Sequence, residues 1–241
     1  NPWGYLQFSD RAANATFDPG GNYLSGSILE HAVVEYAGRT SFDGAVRAVD
    51  SSPFIHACTV HDNARGGIYV SGGGADSIHL TGNTITRNAT SSYGGGVGFS
   101  RSDSPTLTGN TITDNTASSG AGVYLFGSDS PTLTGNTITD NTGSYGGGVY
   151  FSMSAAATLT GNTIAENTAS HYGGGVAFNY SDSARVSGNT ITGNSAGAEG
   201  GGIYASHCDD VTLSGDCITG NHTSVEGGAG GIFLRGGSNG W

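Results

Sequence analysis

The 241-residue chain predicts an all-β solenoid that fills a single domain, residues 1–241. Three observations carry that expectation: a phrase that returns at a near-constant interval, short alternating strands within each interval, and two columns of asparagine between the strands. TGNTIT and its variants recur six times. With Asn83 as the marker, the equivalents are Asn110, Asn136, Asn162, Asn189 and Asp216, 26 or 27 residues apart. A unit of that length is too small to bury a core alone, so the repeats must stack.

From Ser118, one repeat reads SSGAGVYLFGSDSPTLTGNTITDNT, in which three β-rich pieces, GVYL, PTLT and NTIT, are parted by Gly, Ser, Asp and Asn. None reaches helix length or carries a helical apolar period. In the first piece Val123 and Leu125 point one way and Tyr124 the other. Leu133 and Ile138 continue the inward set, with Thr132, Thr134, Thr137 and Thr139 outward. Weaker turns precede the clear ones, at Leu29 and Val34, then Ile55 and Val60, then Leu80 and Ile85. A leading strand around Leu6 and Phe8 and a last one at Ile232 and Leu234 extend the pattern over the chain, with no linker. The Asn of each GN step lies at a sharp bend, where it is expected to take the left-handed conformation and to bond to its stacked copies. A second column, Asn63, Asn88, Asn115, Asn141, Asn167, Asn194 and Asn221, ends the third strand in the same way.

On these residues the chain resembles the right-handed parallel β-helix superfamily, in the form of the GNTI-type repeats of secreted bacterial proteins. Its GGGV and IT-x-N phrases are also similar to the GGA[ILV] and FxxN repeats of chlamydial polymorphic outer-membrane proteins. The resemblance implies a right-handed parallel β-helix with three parallel sheets and about eight turns of 25–27 residues. It is specific for fold and unspecific for function, because the superfamily holds lyases, hydrolases, epimerases, tailspikes and adhesins.

Composition narrows the classes. Forty-four glycines and a hydrophobic fraction of 35% suit a core one side chain wide. Lysine is absent, and eight Arg face 19 acids for a net charge of -11, which argues against nucleic acid and anionic membranes. No apolar run approaches the roughly 20 residues of a membrane helix, so no membrane insertion is expected. The end at GSNGW suits a piece excised from a longer protein, with further domains or self-association at the solenoid ends. Cys58 stands in an asparagine column, far from Cys208 and Cys217, and is expected to be buried and free. Cys208 and Cys217 are near enough in sequence to meet, but a strand separates them.

In the polysaccharide-active β-helices that the chain resembles, substrate lies along the first-strand sheet. That strand's outward column here reads Gln7, Arg47, Tyr69, Gly98, Tyr124, Tyr150, Ala177, Tyr204 and Phe233. Tyr69, Tyr124, Tyr150, Tyr204 and Phe233 would form an aromatic strip on which sugar rings stack, although aromatic columns also stabilise sheets with no ligand. Beyond the strand, Asp76, Asp103, Asp129, Asp182 and Asp209 share a register. They suit Ca²⁺, although no cofactor is required, and SDS phrases are also ordinary turn formers. Glu30 neighbours His56, and Glu35 neighbours His61, on adjacent rungs. An acid beside an imidazole is raw material for general base catalysis or a metal site, but the two pairs lie on strands parted by a sharp bend, and ordinary cross-strand pairing accounts for them better.

The resembling families' catalytic signatures are missing: no DPH motif, no vWiDH-like run and no GHG. Lyases with a Lys base are excluded by the absence of Lys. The catalytic residues left for a lyase or hydrolase are Arg47 with Asp43 and Asp50, or Glu35 with His61. A competing surface is the array Thr84 and Thr86, Thr111 and Thr113, Thr137 and Thr139, Thr163, Thr190 and Thr192. Its T-x-T pattern is similar to the ice-binding faces of hyperactive antifreeze proteins, interrupted by Ala165 and Cys217. The expectation is a secreted or cell-surface rod, an adhesive module binding polysaccharide or cell-surface glycan. The alternatives are a polysaccharide lyase or glycoside hydrolase and an ice-binding protein.

Overall fold

The computed structural model describes residues 3–38, 44–72 and 77–236, and over them the chain winds as a right-handed parallel β-solenoid with no α-helix. The strand GVYL and its equivalents form a nine-stranded parallel sheet from Leu6–Phe8 to Ile232–Arg235. The PTLT strands form an eight-stranded second sheet from Ile28–Glu30 to Thr212–Ser214. The NTIT strands form an eight-stranded third, from Val33–Glu35 to Cys217–Thr219. Each pairing is parallel and in register, so Thr111 lies on Thr84 and under Thr137, and Ile112 joins Ile85 to Ile138.

Two elements go beyond the expected three sheets. A fourth parallel sheet is built from Thr142–Tyr145, Thr168–Tyr172, Ser195–Ala196 and His222–Thr223, between the third strand of one turn and the first of the next. Near the N-terminus, Thr16–Phe17 and Tyr23–Ser25 pair as an antiparallel hairpin. Its Phe17 and Tyr23 pack edge and face against Phe54, at 5.2 and 5.8 Å, on the outer side of the second sheet. The hairpin also packs against His79, where burial pushes the imidazole below its ordinary range.

Inward residues stack as columns of like kind: Leu80, Leu107, Leu133 and Leu159; Ile85, Ile112, Ile138 and Ile164; Val97, Val123, Val149 and Val176, all fully buried. Phe151 and Phe178 stack at 4.9 Å among them. The GGGV phrase supplies the close approach that this narrow core needs. A Cβ on Gly148 would stand 2.6 Å from the carbonyl oxygen of Gly175 and 3.1 Å from Asn167 Nδ2.

The asparagine columns are buried ladders. Asn136 donates from its backbone N and from Nδ2 to Asn162 Oδ1, both at 2.9 Å, and from Nδ2 to the Leu107 carbonyl at 2.9 Å. Its own Oδ1 accepts from Asn110 N and Nδ2. Every polar atom of the side chain is therefore used, where an unmade bond would be costly. The left-handed conformation falls on the residue before each asparagine, not on the asparagine as expected: on Gly82, Gly109 and Gly135 in one column and on Arg87, Asp114 and Asp140 in the other. The reason is the ladder itself, since turning the preceding residue aims the amide inward at the neighbouring rungs.

Cys58 and Asp216 end the first ladder. The Cys58 thiol donates to the Leu29 carbonyl, in the place where Asn83 Nδ2 donates to Ile55. Asp216 accepts from Asn189 N and Nδ2, so an acceptor-only side chain closes a row of aligned amides whose NH₂ ends point toward it. A third ladder lies in the SDS turns. Ser102, Ser128 and Ser154 each donate a backbone N–H to the next hydroxyl, and Ser181 donates to Cys208 Sγ. All three cysteines are free thiols, Cys58 and Cys208 buried and Cys217 exposed. Burial raises the Cys58 and Cys208 thiols above their ordinary range.

Replacing Asn136 with Leu is expected to strand two buried donors of Asn110 and the Leu107 carbonyl, lowering stability by roughly 3 kcal/mol. Thr137→Ala, on the exposed side of the next residue, is expected to change it by no more than about 0.5 kcal/mol. Urea unfolding followed by circular dichroism measures both.

Candidate functional site

The register brings the first-sheet column together as the sequence implied: Gln7, Arg47, Tyr69, Gly98, Tyr124, Tyr150, Ala177, Tyr204 and Phe233 lie on successive rungs. Its rings do not form a simple line. Tyr93, Tyr145 and Tyr172, which precede the GGGV phrases, fold back beside the column. Tyr93 stacks on Tyr124 at 4.8 Å and Tyr172 on Tyr204 at 4.7 Å, while Tyr145 lies 6.4 Å from Tyr150 and 6.0 Å from Tyr172. With Tyr124–Tyr150 at 5.8 Å and Tyr204–Phe233 at 5.4 Å, the path Tyr93, Tyr124, Tyr150, Tyr145, Tyr172, Tyr204, Phe233 is unbroken.

Glycine makes the fold-back feasible. Gly146 has φ +57, and a Cβ there would stand 2.6 Å from Tyr150 Cβ, so the backbone passes directly over the tyrosine it brings Tyr145 to meet. The signal was present in the sequence as Y-G-G-G-V at Tyr93 and Tyr145 and again at Tyr172. It was missed because those tyrosines lie outside the three expected strands.

The second row changes which rings face solvent. Tyr124 is 9% exposed beneath Tyr93, which is 50% exposed. Burial pushes the Tyr124 and Tyr150 phenols above their ordinary range, with neighbouring tyrosines adding to the effect. Where the column lacks a ring, the face opens. At Gly98, over which Tyr69 leans, a cleft of about 280 Å³ is lined by Tyr69, Tyr93, Ser100, Tyr124 and Phe126. At Ala177 a second cleft, of about 220 Å³, is lined by tyrosines with Asn179, Ser206, His207 and Arg235. Aromatic walls with a few convergent polar groups are the usual makeup of a small-ligand site.

The other predicted residues are placed as follows. Arg47 lies over the Tyr5 ring, 5.0 Å from its centre. Asp50 is exposed in the left-handed bend after Val46–Val49. Asp43 and Asp76 lie outside the described residues. Asp103, Asp129 and Asp182 are exposed in the SDS turns. The Asp182 carboxylate accepts from the backbone N–H of Asp209 on the next rung at 2.8 Å, a turn-stabilising role. Among the described residues no three His, Cys, Asp or Glu side chains converge to hold a metal. In the threonine array, Thr84, Thr111, Thr137, Thr163 and Thr190 form an exposed column. Thr113, Thr139 and Thr192 are half-buried and Thr86 is buried.

Glu30 and Glu35 meet their histidines, on different sheets. Glu30 Oε1 lies 3.8 Å from His56 Nε2, and Glu35 Oε2 lies 3.3 Å from His61 Nε2. The second pair belongs to a larger group. His61 Nδ1 is 2.6 Å from Asp62 Oδ2, and Arg87 forks onto Asp62, Nε to Oδ1 at 2.9 Å and Nη2 to Oδ2 at 2.8 Å. Bonds from Arg87 and then from His61 pull the Asp62 carboxyl down to about 2. Asp62 and Arg87 precede stacked asparagines, so their adjacency follows from the column that the sequence already showed.

The right-handed parallel turn and its ladders define the class of protein. A family model described as "Right handed beta helix region" matches residues 43–218. The chain belongs to that family. Among solved structures it is similar to the A-module of the mannuronan C-5 epimerase AlgE4 of Azotobacter vinelandii, with a TM-score of 0.52 and 19% identity. The match covers 83% of this chain and 57% of that one. The chain thus spans little more than half the length of the module, and at that identity the likeness is one of fold. Comparison with curated protein sequences gives no match. No helix among the described residues is long and apolar enough to cross a membrane.

The depressed Asp62 group fixes a sign for acid stability. Its contribution is present above the unfolded carboxyl value of about 4 and is lost as pH falls through the folded value near 2. Arg87→Met is expected to flatten that part of the profile. Thermal melts of both proteins between pH 5 and pH 2 check it.

Proposed function

We propose that this chain is a rigid, secreted or cell-surface glycan-binding rod that holds a polysaccharide along the tyrosine face. The observation that carries the reading is the unbroken path of seven rings bordering two clefts, where Gly98 and Ala177 leave rungs without a ring. Sugar rings present flat C–H faces that stack on aromatic surfaces, while phenol hydroxyls, Asn179 and Ser206 suit their edges. The rungs repeat at about 4.8 Å, so the face offers similar contacts again and again, which fits a repeating polymer better than a single small molecule. The likeness in fold to an epimerase module supports a carbohydrate setting and nothing finer.

Retention on gel-embedded polysaccharides tests this. Tyr93→Ala with Tyr172→Ala is expected to weaken retention about tenfold with the circular dichroism spectrum unchanged. Undiminished retention in that variant removes the tyrosine face from the binding site. Chromatography of the soluble fraction separates the rod from the lyase or hydrolase alternative, since only an enzyme releases oligosaccharides.

A second reading is favoured by the exposed, in-register column Thr84, Thr111, Thr137, Thr163 and Thr190, which suits an ice surface. Part of the array is already engaged within itself, as where Thr139 donates to Thr113 Oγ1 at 3.3 Å. If this face binds ice, the protein shows thermal hysteresis that Thr137→Leu reduces; a wild-type protein with none disposes of the reading.

A further inference from the structure

A cleft larger than the two on the tyrosine face lies elsewhere. It is a groove of about 690 Å³ at the N-terminal end of the third sheet, walled by Trp3, Val33, Tyr36 and Ala64, with Glu35 and Asp62 on its lining. Trp3, Val33 and Tyr36 are 40%, 64% and 59% exposed, an unusual gathering of large apolar side chains at the surface of so polar a chain.

The polar groups around the groove decide what it can hold. The Trp3 indole N–H is spent on the Glu35 carbonyl oxygen at 2.7 Å, which fixes the ring and leaves its π face as its remaining offer to a ligand. Arg87 is committed to Asp62 through both arms of its fork and does not line the groove. Asp62 in turn is held by Arg87 and His61. Glu35 is different: its side chain is 44% exposed, and among the described residues its carboxylate has only His61 Nε2, itself largely buried, at ion-pair distance. Among the described residues the groove therefore presents one carboxylate, that of Glu35, not already held by an arginine, between two aromatic side chains, and no free cationic group. An anion would find no charged partner in that lining. An ammonium group would find both a counter-charge and ring faces, the combination that binds organic cations.

We propose that the Trp3–Tyr36 groove is a binding site for an organic ammonium ion, with Glu35 as the counter-ion and the indole and phenol rings as its walls. His61 positions the Glu35 carboxylate, and the Asp62–Arg87 pair holds His61. The site is separate from the tyrosine face and stands or falls independently of the glycan reading. The net charge of -11 adds a long-range attraction for a cation approaching it.

Trp3 reports on its own site. In a Trp241→Phe background it is the sole tryptophan, because the sequence holds two. Choline and glucosamine are titrated against its emission, with the neutral analogues 3,3-dimethylbutan-1-ol and N-acetylglucosamine as controls. Saturation by a cation and not by its neutral analogue is the expected result. Glu35→Gln is expected to raise the Kd about fivefold and Tyr36→Ala between about three- and tenfold, with circular dichroism confirming the fold. Binding of glucosamine as tight as that of choline assigns the site to amino sugars; choline alone assigns it to quaternary ammonium groups. An absence of saturation by either cation overturns the proposal, as does an equal response to the neutral analogues or an undiminished affinity in Glu35→Gln.

Discussion

The structure depends on how the backbone is satisfied where the chain bends between sheets. Along the strands, N–H and C=O groups find partners on the turns above and below, as in any parallel sheet. At the bends the ladder would break, and it is there that buried amides stand. A mid-ladder amide such as that of Asn136 accepts two donors from one neighbouring turn and donates both back to a carbonyl of that turn and on to the amide of the other, so a bend exists only in register with the bends beside it. That requirement explains why the interval stays between 25 and 27 residues while the sequence between the asparagines drifts. It also explains why the substitutes are themselves hydrogen-bonding: a thiol at Cys58, a carboxylate at Asp216, and a second thiol at Cys208 closing the serine row.

Once register is fixed, every position becomes a column, and columns govern both packing and surface. Inward columns of Leu, Ile and Val fill a core one side chain wide with no need for a varied jigsaw. Outward columns turn a single choice of residue into a line of identical groups. The glycines of GGGV link the two levels. By letting successive turns approach within backbone contact, they tighten the core at Gly148, and by allowing the left-handed turn at Gly146 they fold a second row of tyrosines onto the first. The aromatic face is therefore a consequence of how the core closes as well as of which side chains point outward.

The strands of the three long sheets, their register and the first tyrosine column were legible in the sequence because each is a repeated apolar or aromatic choice at period two. The two asparagine columns were equally plain, although the bend conformation was placed one residue late. What escaped was carried by residues whose meaning depends on a neighbouring turn. Tyr93, Tyr145 and Tyr172 sit in a segment of Gly, Ser and Thr with no apolar alternation, so neither the fourth sheet nor their return over the first sheet had a one-dimensional signature. The hairpin at Thr16–Phe17 and Tyr23–Ser25 has no copies, and a reading built on repetition passes over it. Asp62 and Arg87 could have been paired from their shared column, but a charge before an asparagine looks like a turn residue until its partner one rung away is considered.

The last point separates two kinds of surface on one solenoid. Where the repeat is most regular, from Thr106 onward, side chains come as lines, and lines suit ligands that are themselves repetitive. Where the repeat is worn, in the early turns, the third sheet carries Val33, Glu35 and His61 in place of threonine, with Asp62 and Arg87 at the bends that follow. There unlike groups converge: an imidazole between two carboxylates and a guanidinium locked to one of them, beside exposed Trp3 and Tyr36. Departures from a structural rule have a cost in regularity and persist when something compensates for them. In these turns the compensation is local, a closed network of charge-assisted bonds that stabilises the bend without help from the threonine column. The same departures leave the Glu35 carboxylate partly exposed against aromatic walls, a point-like feature that no column of identical residues can produce.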